Sequence, residues 1–152
     1  MSVALAVAIA ACSPQTPTAA EVRAGAQTGL MTSPLTIHSA DGDHRFTVEV
    51  AATPEQQETG MMFRRSVAGD RGMIFPYDPP QEVAFWMKNT LVPLDMVFIR
   101  ADGRIGRIAA NAVPQSLDPV PSGQPIAAVL EIRGGRSAEL GIREGDRVDW
   151  TH

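Results

Sequence analysis

Thirteen glycines and twelve prolines punctuate the 152 residues, and after Leu35 they leave only short apolar runs between turn signals. Long helices do not fit that spacing, whereas short strands joined by tight turns do. Segments 35–38 and 45–51 flank Ser39-Ala40-Asp41-Gly42-Asp43, a hairpin connection built on Asp-Gly. In the second segment Phe46, Val48 and Val50 alternate with Thr47 and Glu49, the period of a half-exposed strand. Thr53-Pro54-Glu55-Gln56 supplies an N-cap, a proline at the first helical position and a capping-box glutamine, and Gly60 a stop, which predicts a helix over 54–59. Segments 72–75 and 83–87 read as strands around a loop at 77–80, and 94–100 and 104–109 as a second hairpin about Asp102-Gly103. A strand over 127–132, a helical turn over 137–140 and a closing strand over 146–150 complete the pattern. The expected class is α+β: a compact, mainly antiparallel sheet or barrel-like domain with one or two short helices.

The N-terminal part reads differently. Residues 2–11 are uncharged and mostly small or aliphatic, and Ile9-Ala10-Ala11-Cys12 is similar to a bacterial lipobox. No Lys or Arg precedes the run, a departure from the usual signal. In lipoproteins of that kind the cysteine is lipidated, and several acyl chains together give stable attachment. The expected layout is a lipoprotein-type signal peptide over 1–11, a flexible linker over 12–34 rich in Pro, Thr, Ala and Gly, and one globular domain over 35–152. The expected location is the bacterial cell envelope, facing the periplasm. There the chain is lipid-anchored through Cys12, with Ser13 resembling the pattern sorted to the outer membrane, or else secreted to the periplasm. Seventeen acidic against thirteen basic side chains give a net charge of -4, the wrong sign for a nucleic-acid partner.

Three charges stand where the pattern asks for none. Leu94, Met96 and Phe98 make one face of a strand and Val97 and Ile99 the other, yet Asp95 lies among them. Glu131 shares a face with Val129 and Ala127 while Leu130 and Ile132 make the opposite face equally apolar. Lys88, the only lysine against twelve arginines, follows Phe85-Trp86-Met87. Buried charges need partners, so the expectation is that Lys88 meets Asp95, Glu131 or both in one partly enclosed cleft, as a structural network or as a ligand site.

The string Phe85-Trp86-Met87-Lys88-Asn89-Thr90-Leu91-Val92-Pro93-Leu94-Asp95 resembles the signature of the bacterial and archaeal domain-of-unknown-function family 192. Gly60-Met61-Met62 with Arg64 behind it, Gly72-Met73-Ile74-Phe75 and Asn111-Ala112-Val113-Pro114 with Ser116 follow the same family, as do Ser122 with Pro125, Val129-Leu130-Glu131 and Gly141-Ile142-Arg143-Glu144-Gly145-Asp146. The similarity spans roughly residues 45–149. It implies a small β-rich α+β domain, often exported, without an established biochemical activity. The family's polar motif positions fall here on Lys88, Asn89, Thr90, Asp95, Asn111, Ser116, Ser122 and Glu131.

The reading that follows is a small ligand or envelope component bound in a polar cleft, with Lys88 as the cationic contact, Asp95 and Glu131 holding it, and Asn89, Thr90, Asn111 and Ser116 supplying hydrogen bonds. The alternatives are a structural or interaction module, or a small hydrolase acting on cell-wall or glycan material. Asp95 and Glu131 would then serve as paired carboxylates, or Ser116 or Ser122 would pair with Lys88. No G-x-S-x-G elbow occurs and the lone cysteine lies in the leader, so enzyme or not stays open. No cofactor is called for, and no metal: His38 and His44 lack a third ligand, while Met61, Met62, Met73, Met87 and Met96 sit beside apolar neighbours as core fillers. Segment 141–148 lacks the lysine of a phosphate loop and reads as a turn into the last strand.

Overall fold

The Asp-Gly turn closes a hairpin between β1 (Thr32–Ser39) and β2 (Gly42–Val50), paired antiparallel from Thr32 opposite Glu49 to Ser39 opposite Gly42 in a computed structural model that describes residues 26–151. β1 starts ahead of the expected boundary at Leu35, because Ser33, small enough to be buried, extends inward the alternation of Leu35 and Ile37. Further upstream, the Gln27 amide donates to the carbonyl oxygens of Gln56 and Gly60 at 2.9 and 2.8 Å. The linker reading is therefore corrected at its end: residues 26–34 belong to the fold. The signal segment and Cys12 lie outside the described residues.

The capping box forms as its residues predict, with the Gln56 N–H donating to Thr53 Oγ1 and the Thr53 N–H to Gln56 Oε1, and it starts α1 (Pro54–Thr59). The chain returns through β3 (Arg71–Gln81), which pairs parallel with β2. Residues 77–80, expected as a loop, stay extended within β3 but drop out of the ladder, since Pro79 and Pro80 have no N–H to donate. The expected strand at 83–87 shrinks to β4 (Ala84–Phe85), paired with β7 (Val120–Pro121) in a separate ribbon. β5 (Leu94–Ile99), β6 (Ile105–Ala112), β8 (Ile126–Arg133), the single turn α2 (Arg136–Glu139) and β9 (Arg147–Trp150) complete the chain.

Seven strands form one sheet in the order β6-β5-β8-β3-β2-β1-β9, antiparallel except for β2 with β3. The sheet curls into a half-barrel, and a bridge between Arg104 and Arg147 draws its two edges together. Both faces are covered. Leu35, Ile37, Val97, Ile99, Leu130 and Ile132 fill the inner core, while Met73, Phe75, Met96, Phe98 and Val129 pack under the loops outside it. β5 is buried along its whole length, and each large apolar side chain so removed from water contributes about 1.5–3 kcal/mol. No helix among the described residues is long and apolar enough to cross a membrane.

Candidate functional site

Outside the barrel, the loop after α1, the 86–91 loop and the 113–116 loop are laced by backbone hydrogen bonds. The Phe63 N–H donates to Asn89 O at 2.8 Å, the Gln115 N–H to Thr90 O at 3.1 Å and the Met87 N–H to Ser116 O at 2.9 Å. Phe63, Asn89, Asn111 and Gln115 are the described non-glycine residues with positive φ, between 51° and 64°. Such conformations cost energy and persist where surrounding structure imposes them, commonly at binding or catalytic sites. Here Phe63, Asn89 and Gln115 fall in the laced loops, while Asn111 lies near the end of β6.

Beneath them is a narrow crevice walled by Met61, Phe75, Phe85, Trp86 and Thr90, with Glu131 among its lining residues. Gly60 allows it to be this tight, since a Cβ there would stand 3.3 Å from the Phe75 ring at a φ of 47°. The free space is about 40 Å³, enough for a water or two or the tip of a ligand. Trp86 is 46% exposed beside the opening.

Glu131 sits on β8 with Met73 and Met96 directly opposite on the neighbouring strands. It is 4% exposed, and among the described residues its carboxyl makes no hydrogen bond or ion pair. Loss of solvent pushes its pKa up to about 8, against a weaker downward pull from Arg64. Around neutral pH the group is mostly a carboxylic acid, able both to donate and to accept. Tyr77 is pushed up to about 12, first by burial and second by the charge of Glu131. Arg64 is engaged elsewhere, paired with Glu49 and donating to Gln27 O at 3.2 Å.

Asp95 and Glu131 are both buried, as their apolar surroundings imply, but the predicted trio does not form. Asp95 lies opposite Ile132 and Met96 opposite Glu131. Residues directly opposite share a face, so the two acids project to opposite sides of the sheet. Asp95 is 0% exposed, and backbone satisfies it entirely: Oδ1 accepts from the N–H groups of Asn111 and Gly135, and Oδ2 from that of Ser137, each at 2.8 Å. Lys88 is exposed, with Nζ 5.0 Å from the centre of the Trp86 ring and no carboxylate partner among the described residues. The paired-carboxylate hydrolase reading fails on the same geometry, because the two groups cannot flank one bond.

Of the other predicted binding residues, Thr90 alone shares the crevice with Glu131; its Oγ1 donates to Lys88 O at 3.2 Å. Asn89 turns its amide toward the Met62 sulfur at 3.8 Å. Asn111 is exposed and serves Asp95 through its backbone. Ser116 Oγ bonds Asp118, and buried Ser122 Oγ donates to Gln124 O while accepting from the Val83 N–H, so neither serine is paired with Lys88. His38 bonds Asp43 at 2.6 Å and Asp149 at 3.0 Å, which raise its pKa, and His44 bonds Ser39. Met61, Met73, Met87 and Met96 are buried core fillers. The aromatic wall was only partly legible: Trp86 stands out in the sequence, whereas Phe75 and Met61 reach the crevice through the parallel pairing and the turn at Gly60.

Comparison with known proteins follows the fold. The family model described as "Uncharacterized ACR, COG1430" matches residues 36–150. A protein of unknown function from Novosphingobium aromaticivorans DSM 12444 is 46% identical and superposes with a TM-score of 0.79, over 81% of this chain and 88% of that one. A proposed transcription regulator from Sinorhizobium meliloti 1021 is 42% identical with a TM-score of 0.78, over 82% of this chain and 97% of that one. No curated protein gives a significant match.

Proposed function

The chain belongs to the DUF192 family, and from that premise we propose that it is a ligand-binding domain of the bacterial envelope, tethered through lipidated Cys12, whose site is the crevice over Glu131. One observation carries the binding reading: a carboxyl group 4% exposed, without a hydrogen-bond partner among the described residues, lines a crevice open to solvent. A carboxyl group shielded from most water and lacking a protein partner keeps its hydrogen-bonding capacity free for an incoming molecule. The strained loops around the crevice support the same reading. Lys88 keeps a place in it, moved from the floor of a cleft to the surface beside Trp86.

The regulator description attaches to the Sinorhizobium protein. In this chain Arg64, Arg71, Arg100, Arg133, Arg136 and Arg147 each lie within ion-pair distance of a carboxylate, which together with the net charge of -4 weighs against a nucleic-acid surface.

The test is an NMR screen of small amines, amides, alcohols and acids, following the Trp86 indole and the Met61 and Met62 methyl signals. Fragments that shift these signals in wild type and not in Glu131→Gln support the crevice as the site; silence across the screen removes it. For the tether, Cys12→Ala is expected to move the protein from membrane to soluble fractions, and an unchanged distribution refutes the anchor.

A further inference from the structure

We infer that the group inserted into the crevice is a primary ammonium on a slim alkyl stem, seated against Glu131 among the rings of Phe75, Phe85 and Trp86; the inference rests on the crevice being the binding site. Four features converge on that chemistry.

The first is charge. Glu131 is buried without a partner, and Arg64, the cation whose charge acts on it, makes its ion pair with Glu49 and donates to the Gln27 carbonyl instead. A neutral ligand could only hydrogen-bond the acid, whereas an ammonium neutralises the carboxylate that burial otherwise disfavours. The second is the aromatic lining. Phe75 and Phe85 meet edge to face with centroids 5.1 Å apart, and Trp86 adds an indole. Ring faces attract ammonium groups, and the Lys88 ammonium already lies over the Trp86 ring. Size is the third, since the narrow space of about 40 Å³ suits an NH₃⁺ head with a methylene or two better than a bulky quaternary ammonium. Fourth, exposed Glu58 also lines the crevice, on a chain of net negative charge, which favours the approach of a cation.

Binding of this kind is linked to a proton. The ionisable groups around Glu131 are Arg64, Tyr77 and Glu58, of which Tyr77 stays neutral until about pH 12. Below pH 8 an arriving ammonium must therefore displace the Glu131 proton to solvent. Affinity then rises about tenfold per pH unit from pH 6 toward 8 and levels near 9.

The experiment titrates the full chain with n-butylammonium, 1-butanol and tetramethylammonium, reading the Trp86 indole and Met61 and Met62 methyl signals between pH 6 and 9. Expected are saturable shifts with butylammonium that strengthen with pH, none with tetramethylammonium, and at least a tenfold weakening with loss of the pH trend in Glu131→Gln. Butanol binding as tightly as butylammonium, or an affinity flat or falling with pH, overturns the ammonium assignment and leaves the crevice as a binding site. No response to either butyl probe sinks both. Comparing Nα-acetyl-lysine methylamide with 1,4-diaminobutane then tells a peptide lysine from a free diamine as the source of the ammonium.

Discussion

In an Asp95→Asn variant one hydrogen bond at the end of the inner core has to break. The wild-type carboxylate takes two N–H groups on Oδ1, from Asn111 and Gly135, and one on Oδ2, from Ser137. A carboxamide has a single oxygen. With that oxygen toward Asn111 and Gly135, its NH₂ faces the Ser137 N–H, donor against donor; the reverse orientation sacrifices two bonds. The better orientation loses one charge-assisted bond, worth about 1.5–3 kcal/mol, and leaves a buried N–H unpaired at about 1–3 kcal/mol. Ser137 is 3% exposed, so water cannot readily take over. The two costs overlap, and a destabilisation of about 3 kcal/mol is expected, rising to about 5 in Asp95→Ala, where all three bonds go. For a domain of this size about 3 kcal/mol lowers Tm by roughly 12 °C. Urea unfolding of wild type and variant measures it directly. Because Asp95 faces away from the crevice, butylammonium binding in the folded variant is expected to be unchanged. An Asp95→Asn protein within about 0.5 kcal/mol of wild type refutes the idea that this carboxylate ties β5 to the β6 end and the 134–137 turn.

The remaining expectations concern the other charges and the N-terminal boundary. Glu131 has a folded pKa of about 8 against an ordinary 4.5, so its contribution is complete below pH 4.5 and is lost at about 1.4 kcal/mol per unit as pH rises toward 8. Urea midpoints at pH 5, 6.5 and 8 should show that slope in wild type but not in Glu131→Gln, with His38, also raised, cancelling in the difference; parallel slopes overturn the account. Lys88→Met should change stability by less than about 1 kcal/mol, as for an exposed cation over an aromatic ring, and a loss of about 3–5 kcal/mol by urea unfolding would restore a buried pair. A chain starting at Leu35 loses the Thr32–Pro34 pairings, the Val50 N–H bond to Met31 O, the Gln27 amide bonds to Gln56 O and Gly60 O, and the Arg64 bond to Gln27 O. It should unfold about 2–4 kcal/mol more easily than one starting at Ala26, and equal stability would return residues 26–34 to the linker.

Local signals were legible wherever a short-range interaction sets the outcome. The Asp-Gly hairpins, the capping box before Pro54 and the alternation of Phe46, Val48 and Val50 are decided within a few residues, and each appears where its residues predict. The N-terminal edge was misjudged because Thr, Ser and Pro are as common in tethers as at the start of an edge strand. Only pairing with β2 and the bonds made by Gln27 distinguish the two.

What the amino-acid order determined by itself was the β-rich class, most of the main-sheet strands and the burial of Asp95 and Glu131, since each acid is surrounded by apolar neighbours at both parities. What it left open was where those acids point relative to each other and to Lys88. β5 and β8 are apolar on both faces, so no pattern of polar and apolar positions selects their register, and a shift of one residue reverses the facing of every side chain. The folded register sets Asp95 opposite Ile132 and Glu131 opposite Met96. That separation leaves one acid bound by backbone on the inner side and the other facing an aromatic crevice on the outer side, a division that only the closing of the sheet decides.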